Sequence, residues 1–199
     1  MNKLIVNISA LVICTLMIFV STAAADDVMD TINEAIAQYK NGEYSAAVES
    51  LEYASNLILQ KKGLQLKKLL PEPLPGWAAE EASSQAAGKI MFGGGVTAER
   101  TYNRGDKSII IKLATDSPLL QSIMMMFTNP MFAVSDGGRL ERIRGQKAII
   151  NYKSATETGT INIVVANRFL VTLEGDHVTK ADLMAYANKI DYRALTDLP

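Results

Sequence analysis

Few side chains in this chain are equipped for chemistry, and their spacing limits what they can do. His177 is the sole histidine and sits beside Asp176 in the run Gly175-Asp176-His177-Val178. A zinc site normally takes three or four His, Cys or carboxylate ligands. There is no second histidine, and adjacent residues on a loop do not point at one ion together. Cys14 is the only cysteine and falls in the apolar N-terminal segment, so residues 26–199 offer no thiol nucleophile. A serine nucleophile needs a base, and no G-x-S-x-G elbow occurs. Glu99, Asp106, Asp116 and Glu141 could serve a carboxylate-based hydrolase or transferase, but no spacing joins them as a set. We therefore expect no catalytic residue, no cofactor and no metal, and a protein that is not an enzyme.

The most distinctive side chains are apolar. Met124, Met125 and Met126 are consecutive, with Phe127 and Met131 following. Thioethers bind copper(I), yet consecutive helical residues point about 100° apart and cannot share one ion. Methionine is also the adaptable residue of binding surfaces, so Met124, Met125, Met126, Phe127 and Met131 stand as candidate contact residues, with core packing as the plainer alternative. Trp77, the single tryptophan, follows Pro71-Glu72-Pro73-Leu74-Pro75-Gly76. It is either a ligand platform or, as we favour, a plug fixing a rigid linker to the core. Tyr53 completes the candidate surface. Gly93-Gly94-Gly95 leads into a strand and lacks the lysine of a phosphate loop, which makes it a turn or bulge. Lys61, Lys62, Lys67 and Lys68 around Leu64 and Leu66 read as a solvated helix face before a membrane patch.

The elements that must position these residues begin after a leader. Lys3, an apolar run from Leu4 to Val20 and the small residues Ala23-Ala24-Ala25 form the three parts of a secretory signal. A retained anchor needs roughly 20 apolar residues, and this core is shorter and holds Asn7 and Ser9. Ile13 before Cys14 argues against lipidation. The expectation is cleavage near Ala25, a periplasmic or secreted product, and loss of Cys14 with the leader. Without Lys3 the mature balance is 19 basic against 21 acidic residues, which gives no steering field for nucleic acid or anionic lipid. Membrane contact is allowed but not required.

From Asp26 to Leu70 the apolar period is helical. Val28, Ile32, Ala35, Ile36 and Tyr39 form one stripe, Asn41-Gly42 breaks it, and Tyr44, Ala47, Val48, Leu51, Ala54, Leu57 and Ile58 form a second. So short a break makes the two helices antiparallel neighbours. Ala35, Gly42, Tyr44, Ala47, Leu51 and Ala54 read A-x6-G-x-Y-x2-A-x3-L-x2-A, and residues 28–60 resemble a single tetratricopeptide repeat. Thr31 stands where that family usually has a large aromatic, and the closing proline is missing. The resemblance implies close helix approach at the alanines, Tyr44 over the turn, and partner binding as a role. One repeat does not make the family's groove, which takes at least three.

The prolines of residues 71–87 end the helix and mark a linker, with Ala78 to Ala87 expected as a short surface helix or loop. From residue 88 the period becomes two. Val96–Tyr102 and Lys107–Thr115 flank a hairpin turn, Pro118 opens an apolar helix, four strands follow between Arg139 and Gly175, and Thr179 caps a helix over Lys180–Lys189. The fold class is α+β: an N-terminal helical hairpin (26–70), a Pro-rich linker (71–87) and a twisted antiparallel sheet of about six strands with helices packed on one face (88–199). The expected function is an exported, non-catalytic binding or adaptor protein of the bacterial envelope. Its contact surface would be the hairpin or the Met-rich helix, and its partner an envelope protein. The alternative is a periplasmic carrier, with an apolar small molecule or lipid held between helix and sheet.

Overall fold

The computed structural model describes residues 27–86, 95–115, 118–128 and 137–198. These divide into two compact units that meet in sequence at Leu51 and Glu52. The leader lies outside the described residues.

The first unit holds α1 (Asp27–Lys40) and the opening turns of α2 (Tyr44–Lys67). Asp27 and Asp30 sit in the first turn of α1 and Lys40 in its last, each sign opposing the helix dipole. Gly42 ends the helix in the left-handed region at φ 81°, where a Cβ would be strained. Gly42 N–H donates to Tyr39 and Glu43 N–H to Gln38, so the last carbonyls of α1 are satisfied. Val28, Ala35 and Ala47 are buried. Ser50 Oγ donates to Gln38 Oε1 at 2.8 Å, tying the two helices side by side.

The second unit is built on an eight-stranded, wholly antiparallel sheet rather than the six strands expected. Its strands are β1 (Ala78–Ala79), β2 (Ser83–Ala86), β3 (Val96–Arg104), β4 (Lys107–Thr115), β5 (Arg139–Ile143), β6 (Gln146–Lys153), β7 (Thr158–Val165) and β8 (Phe169–Asp176). The order is β1-β3-β4-β8-β7-β6-β5, with β2 also pairing with β3. The two extra strands come from the stretch expected as a surface helix or loop. Ala78–Ala79 pair with Asn103 and Tyr102, and Ser83–Ala86 with Glu99 to Val96. Arg100 Nε donates to the Glu80 carbonyl between them. Short alanine and serine segments carry little apolar period, and pairing with an existing edge supplies their backbone partners.

The helices of this unit are α3 (Pro118–Thr128), α4 (Lys180–Lys189) and α5 (Tyr192–Thr196), and they do not share one face. Ile109, Ile111 and Leu113 of β4 join Ile161, Ile163, Val171 and Leu173 under Leu183, Tyr186, Ile190 and Leu195 of the C-terminal segment. Leu59, Leu66 and Leu70 join the same core, which draws residues 52–70 into this unit. Leu66 and Leu70 are buried and each contributes roughly 1.5–3 kcal/mol, while Leu59 is only partly covered. On the opposite face, Ala114, Val164 and Leu170 lie under α3. The even-numbered positions of β4 and β8 thus feed one layer and the odd-numbered ones the other, as the period of two requires.

Two glycines set how closely α4 sits. Gly159 and Gly175 face one another across β7 and β8. A Cβ on Gly175 would stand 2.4 Å from Val178 Cγ2 and 2.9 Å from Leu183 Cδ2. At its N-terminus α4 has a capping box: Asp182 N–H donates to Thr179 Oγ1, and Thr179 N–H donates to the Asp182 carboxylate.

Candidate binding surfaces

The first unit has its apolar side chains turned outward. Met29, Ile36 and Tyr39 of α1 and Tyr44, Val48 and Leu51 of α2 are each between 46% and 66% exposed. Buried Val28 and Ala35 are each followed by an exposed apolar neighbour, Met29 and Ile36, and Ala47 is followed by Val48. One residue is a 100° step. In two antiparallel helices the same sense of rotation from the interface brings both stripes to the same side of the pair. The Tyr39 and Tyr44 rings meet at the turn with centroids 5.5 Å apart, closing the end of that face. Small residues inside and large ones outside are the reverse of an ordinary helix pair.

Trp77 is not part of any such surface. It is 7% exposed, edge-on to Tyr186 at 5.3 Å and covered by the Arg104 guanidinium 4.6 Å from its centroid. Tyr186 in turn lies 4.6 Å from Tyr102. The Tyr102 hydroxyl donates to the Pro71 carbonyl at 2.6 Å, and Leu74 N–H donates to the Tyr186 hydroxyl. Burial pushes the Tyr102 phenol well above its ordinary range, although nearby Arg100 opposes the shift. The aromatic trio therefore fastens the proline segment to the core. Trp77 is withdrawn from the candidate surface for that reason.

The Met-rich helix divides by face. Met124 and Phe127 pack with Ile123 on Ala114, Val164 and Leu170. Met126 is half-buried and Met125 is exposed. Met131 lies outside the described residues. Tyr53 is exposed on α2, but it follows Val48 by five positions, about 140° around a helix, so it is not on the Tyr44–Val48–Leu51 stripe.

Beyond the reach of α3, the same sheet face carries polar side chains around Ile110. Lys112 pairs with Glu174 at 3.0 Å, and Thr172 donates to Asn162. A shallow, solvent-open depression of about 410 Å³ is lined by Ser108, Asn151, Lys153, Thr160, Glu174 and their neighbours. A second, of about 280 Å³, lies among Arg144, Tyr192, Arg193 and Thr196. Neither is lined by residues of α3.

The residues considered for catalysis are not brought together. His177 is exposed, with Nδ1 3.1 Å from its neighbour Asp176. Among the described residues, no three His, Cys, Asp or Glu side chains converge to hold a metal. Glu99 on β3 and Glu141 on β5 are five strand steps apart in the sheet, about 24 Å at the usual strand spacing. Glu141 is moreover paired with Lys180 at 2.9 Å. Asp106 lies in the β3–β4 turn, and Asp116 falls outside the described residues, as do Gly93 and Gly94.

The strongest electrostatic node is structural. Burial alone would raise the pKa of Asp182, but hydrogen bonds from Lys107 and Thr179 and the charge of Arg104 hold it at about 2. Arg104 and Lys107 reach its two carboxylate oxygens at 2.8 and 3.0 Å.

The exposed face of the helix pair could have been found in the sequence. The stripe Val28, Ile32, Ala35, Ile36 and Tyr39 is broader than the interface of one helix needs, and its large members fall to one side of its small ones. Comparison with known proteins adds nothing to this geometry: no family model matches the chain, and neither a curated protein nor a solved structure is significantly similar to it.

Proposed function

We propose that this chain is an exported, non-catalytic binding protein of the bacterial envelope, whose contact surface is the apolar face of α1 and the start of α2. The observation that carries this is the outward placement of Met29, Ile36, Tyr39, Tyr44, Val48 and Leu51. Large apolar side chains grouped on one face, rather than scattered singly, mark interaction sites. The interface beneath them is built from Val28, Ala35 and Ala47, so Met29, Ile36, Val48 and Leu51 are not what holds the two helices together. The sheet unit is the anchor of such a module, with its own large core and its proline segment bolted down by Trp77, Tyr102 and Tyr186. The packing of Met124 and Phe127 directly on the sheet favours this reading over a carrier with its ligand under α3.

The test is a photo-activated cross-linker placed at Val48 in the producing cell, with the same group at Met125 as comparison. The expected result is one protein adduct at Val48, identified by mass spectrometry and lost when Tyr44 is changed to aspartate. Irradiation that yields no adduct at Val48 overturns the reading.

A further inference from the structure

The partner's chemistry follows from how charge is laid around that apolar face. Between Asp27 and Leu51 there are five carboxylates, Asp27, Asp30, Glu34, Glu43 and Glu49, against the single cation Lys40, a formal charge of −4. From Glu52 onward the chain carries 18 basic and 15 acidic residues, a formal +3. The near-neutral total therefore hides a polarity between the two units.

The placement of the acids matters more than their number. Asp30 follows Met29 by one residue and Glu49 follows Val48 by one, so each lies a further 100° step beyond the apolar stripe of its own helix. Because the helices are antiparallel, these steps lead to the two outer edges of the shared face, whereas Glu34, which accepts from Gln38, precedes buried Ala35 and lies on the other face of the pair. The result is a strip of Met29, Ile36, Val48 and Leu51, closed at one end by the Tyr39–Tyr44 contact and bordered by Asp30 on one side and Glu49 on the other, with Lys40 at the tyrosine end of the α1 edge.

We infer that this strip seats a basic amphipathic helix of a partner protein, an inference that rests on the hairpin being the contact surface. A third helix laid over two antiparallel helices buries its apolar side chains between them. Lysine and arginine on its flanks then run their aliphatic stems along the strip while the charged heads reach the bordering acids. The charge decides against the other two occupants of an apolar face. A second copy would bring one unit of formal charge −4 against another. An anionic bilayer would meet the same repulsion, since interfacial helices that bind one carry lysine and arginine on their polar faces.

The probes are three synthetic 18-residue peptides with one common leucine face and a polar face of lysine, glutamine or glutamate. Binding to the mature protein is read by fluorescence anisotropy. Each exposed ion pair contributes only a few-fold, so the lysine peptide should bind about tenfold more tightly than the glutamine peptide. The glutamate peptide should be weaker again, and raising the salt from 50 to 500 mM should remove most of the difference. The double variant Asp30→Asn/Glu49→Gln, with an unchanged circular dichroism spectrum, should bind lysine and glutamine peptides alike. Equal binding of all three peptides by the unaltered protein overturns the basic partner but leaves the contact surface standing. So does dimerisation in sedimentation at peptide-free micromolar concentration, or flotation with phosphatidylglycerol vesicles. No binding of any peptide overturns the seated helix, and only a missing Val48 adduct in cells removes the surface itself.

Discussion

The two units of this chain solve burial in opposite ways. In the sheet unit the large side chains are inside: Tyr102, Tyr186, Phe169, Leu183 and a set of isoleucines are fully buried. In the first unit Val28, Ala35 and Ala47 are inside, while Met29, Ile36, Tyr39, Tyr44, Val48 and Leu51 face outward. Stability rests on apolar area removed from water, so the first pattern builds a domain that stands alone and the second leaves its main apolar area unspent. The contrast separates the part of the chain that buries its large apolar side chains from the part that leaves them exposed. It also predicts different responses to substitution.

The largest effect belongs to Gly175. An alanine there places its Cβ 2.4 Å from Val178 and 2.9 Å from Leu183, and overpacking of a close-packed core costs about 3 kcal/mol at this severity. Urea denaturation of Gly175→Ala should show that loss, and adding Val178→Ala should recover part of it by removing the nearest atom. A loss below about 1 kcal/mol would mean that the α4–sheet contact yields, and the contrast between a rigid and an open unit would weaken.

Next comes Asp182. Its folded pKa of about 2 lies below the ordinary 3.8. The unfolded chain therefore takes up this proton before the folded one does. The stabilisation is complete above about pH 4 and is lost as the pH falls towards 2, for a difference of about 2 kcal/mol. Acid titration of urea stability should show this component in the protein and lose it in Asp182→Asn. If both profiles coincide, the Arg104–Lys107–Asp182 node contributes nothing to the sheet unit.

Much of the sheet unit was legible because its periods are strong and its turns well marked. β4, β6 and α4 begin and end where alternation, Gly145 and the Thr179 cap place them. β1 and β2 were not legible, since Ala78-Ala79 and Ser83-Ser84 have no apolar alternation and become strands only by pairing with β3. The side of the sheet taken by α3 was equally hidden: the segment is apolar all round, so its sequence names no inner face. The position of Trp77 after the prolines allows both a plug and a platform, and Tyr186, 109 residues later, decides it. In the first unit the helices and Gly42 were plain, but a helical stripe does not say which of its members are covered. The alanines at the interface leave the larger residues outside; the position of those residues to one side of the stripe hints at this, and the pairing of the helices fixes it.

A smaller change should test the interface of the first unit. Ala35 is buried at 2% exposure, so Ala35→Leu forces the two helices apart at a cost of about 1–2 kcal/mol. Hydrogen exchange should accelerate over residues 27–51 while β4, β7 and β8 keep their protection, because units of a chain open locally with their own free energies. Uniform acceleration throughout would mean that the two regions share one cooperative fold.

The smallest expected change in stability is also the one that isolates function. Val48 is 54% exposed, and surface substitutions away from special features stay within about 0.5 kcal/mol. Val48→Asp should therefore leave the denaturation midpoint almost unmoved. It nevertheless places a charge in the centre of the apolar strip, where a docking side chain would have to desolvate it. Affinity for the lysine-faced peptide should fall at least tenfold in a protein of unchanged stability. Lys153→Glu, a change at an exposed position on β6, should leave that affinity as it was. Were Val48→Asp to unfold the helix pair instead, the outward valine would be a structural residue and the two units would bury their apolar side chains by the same rule.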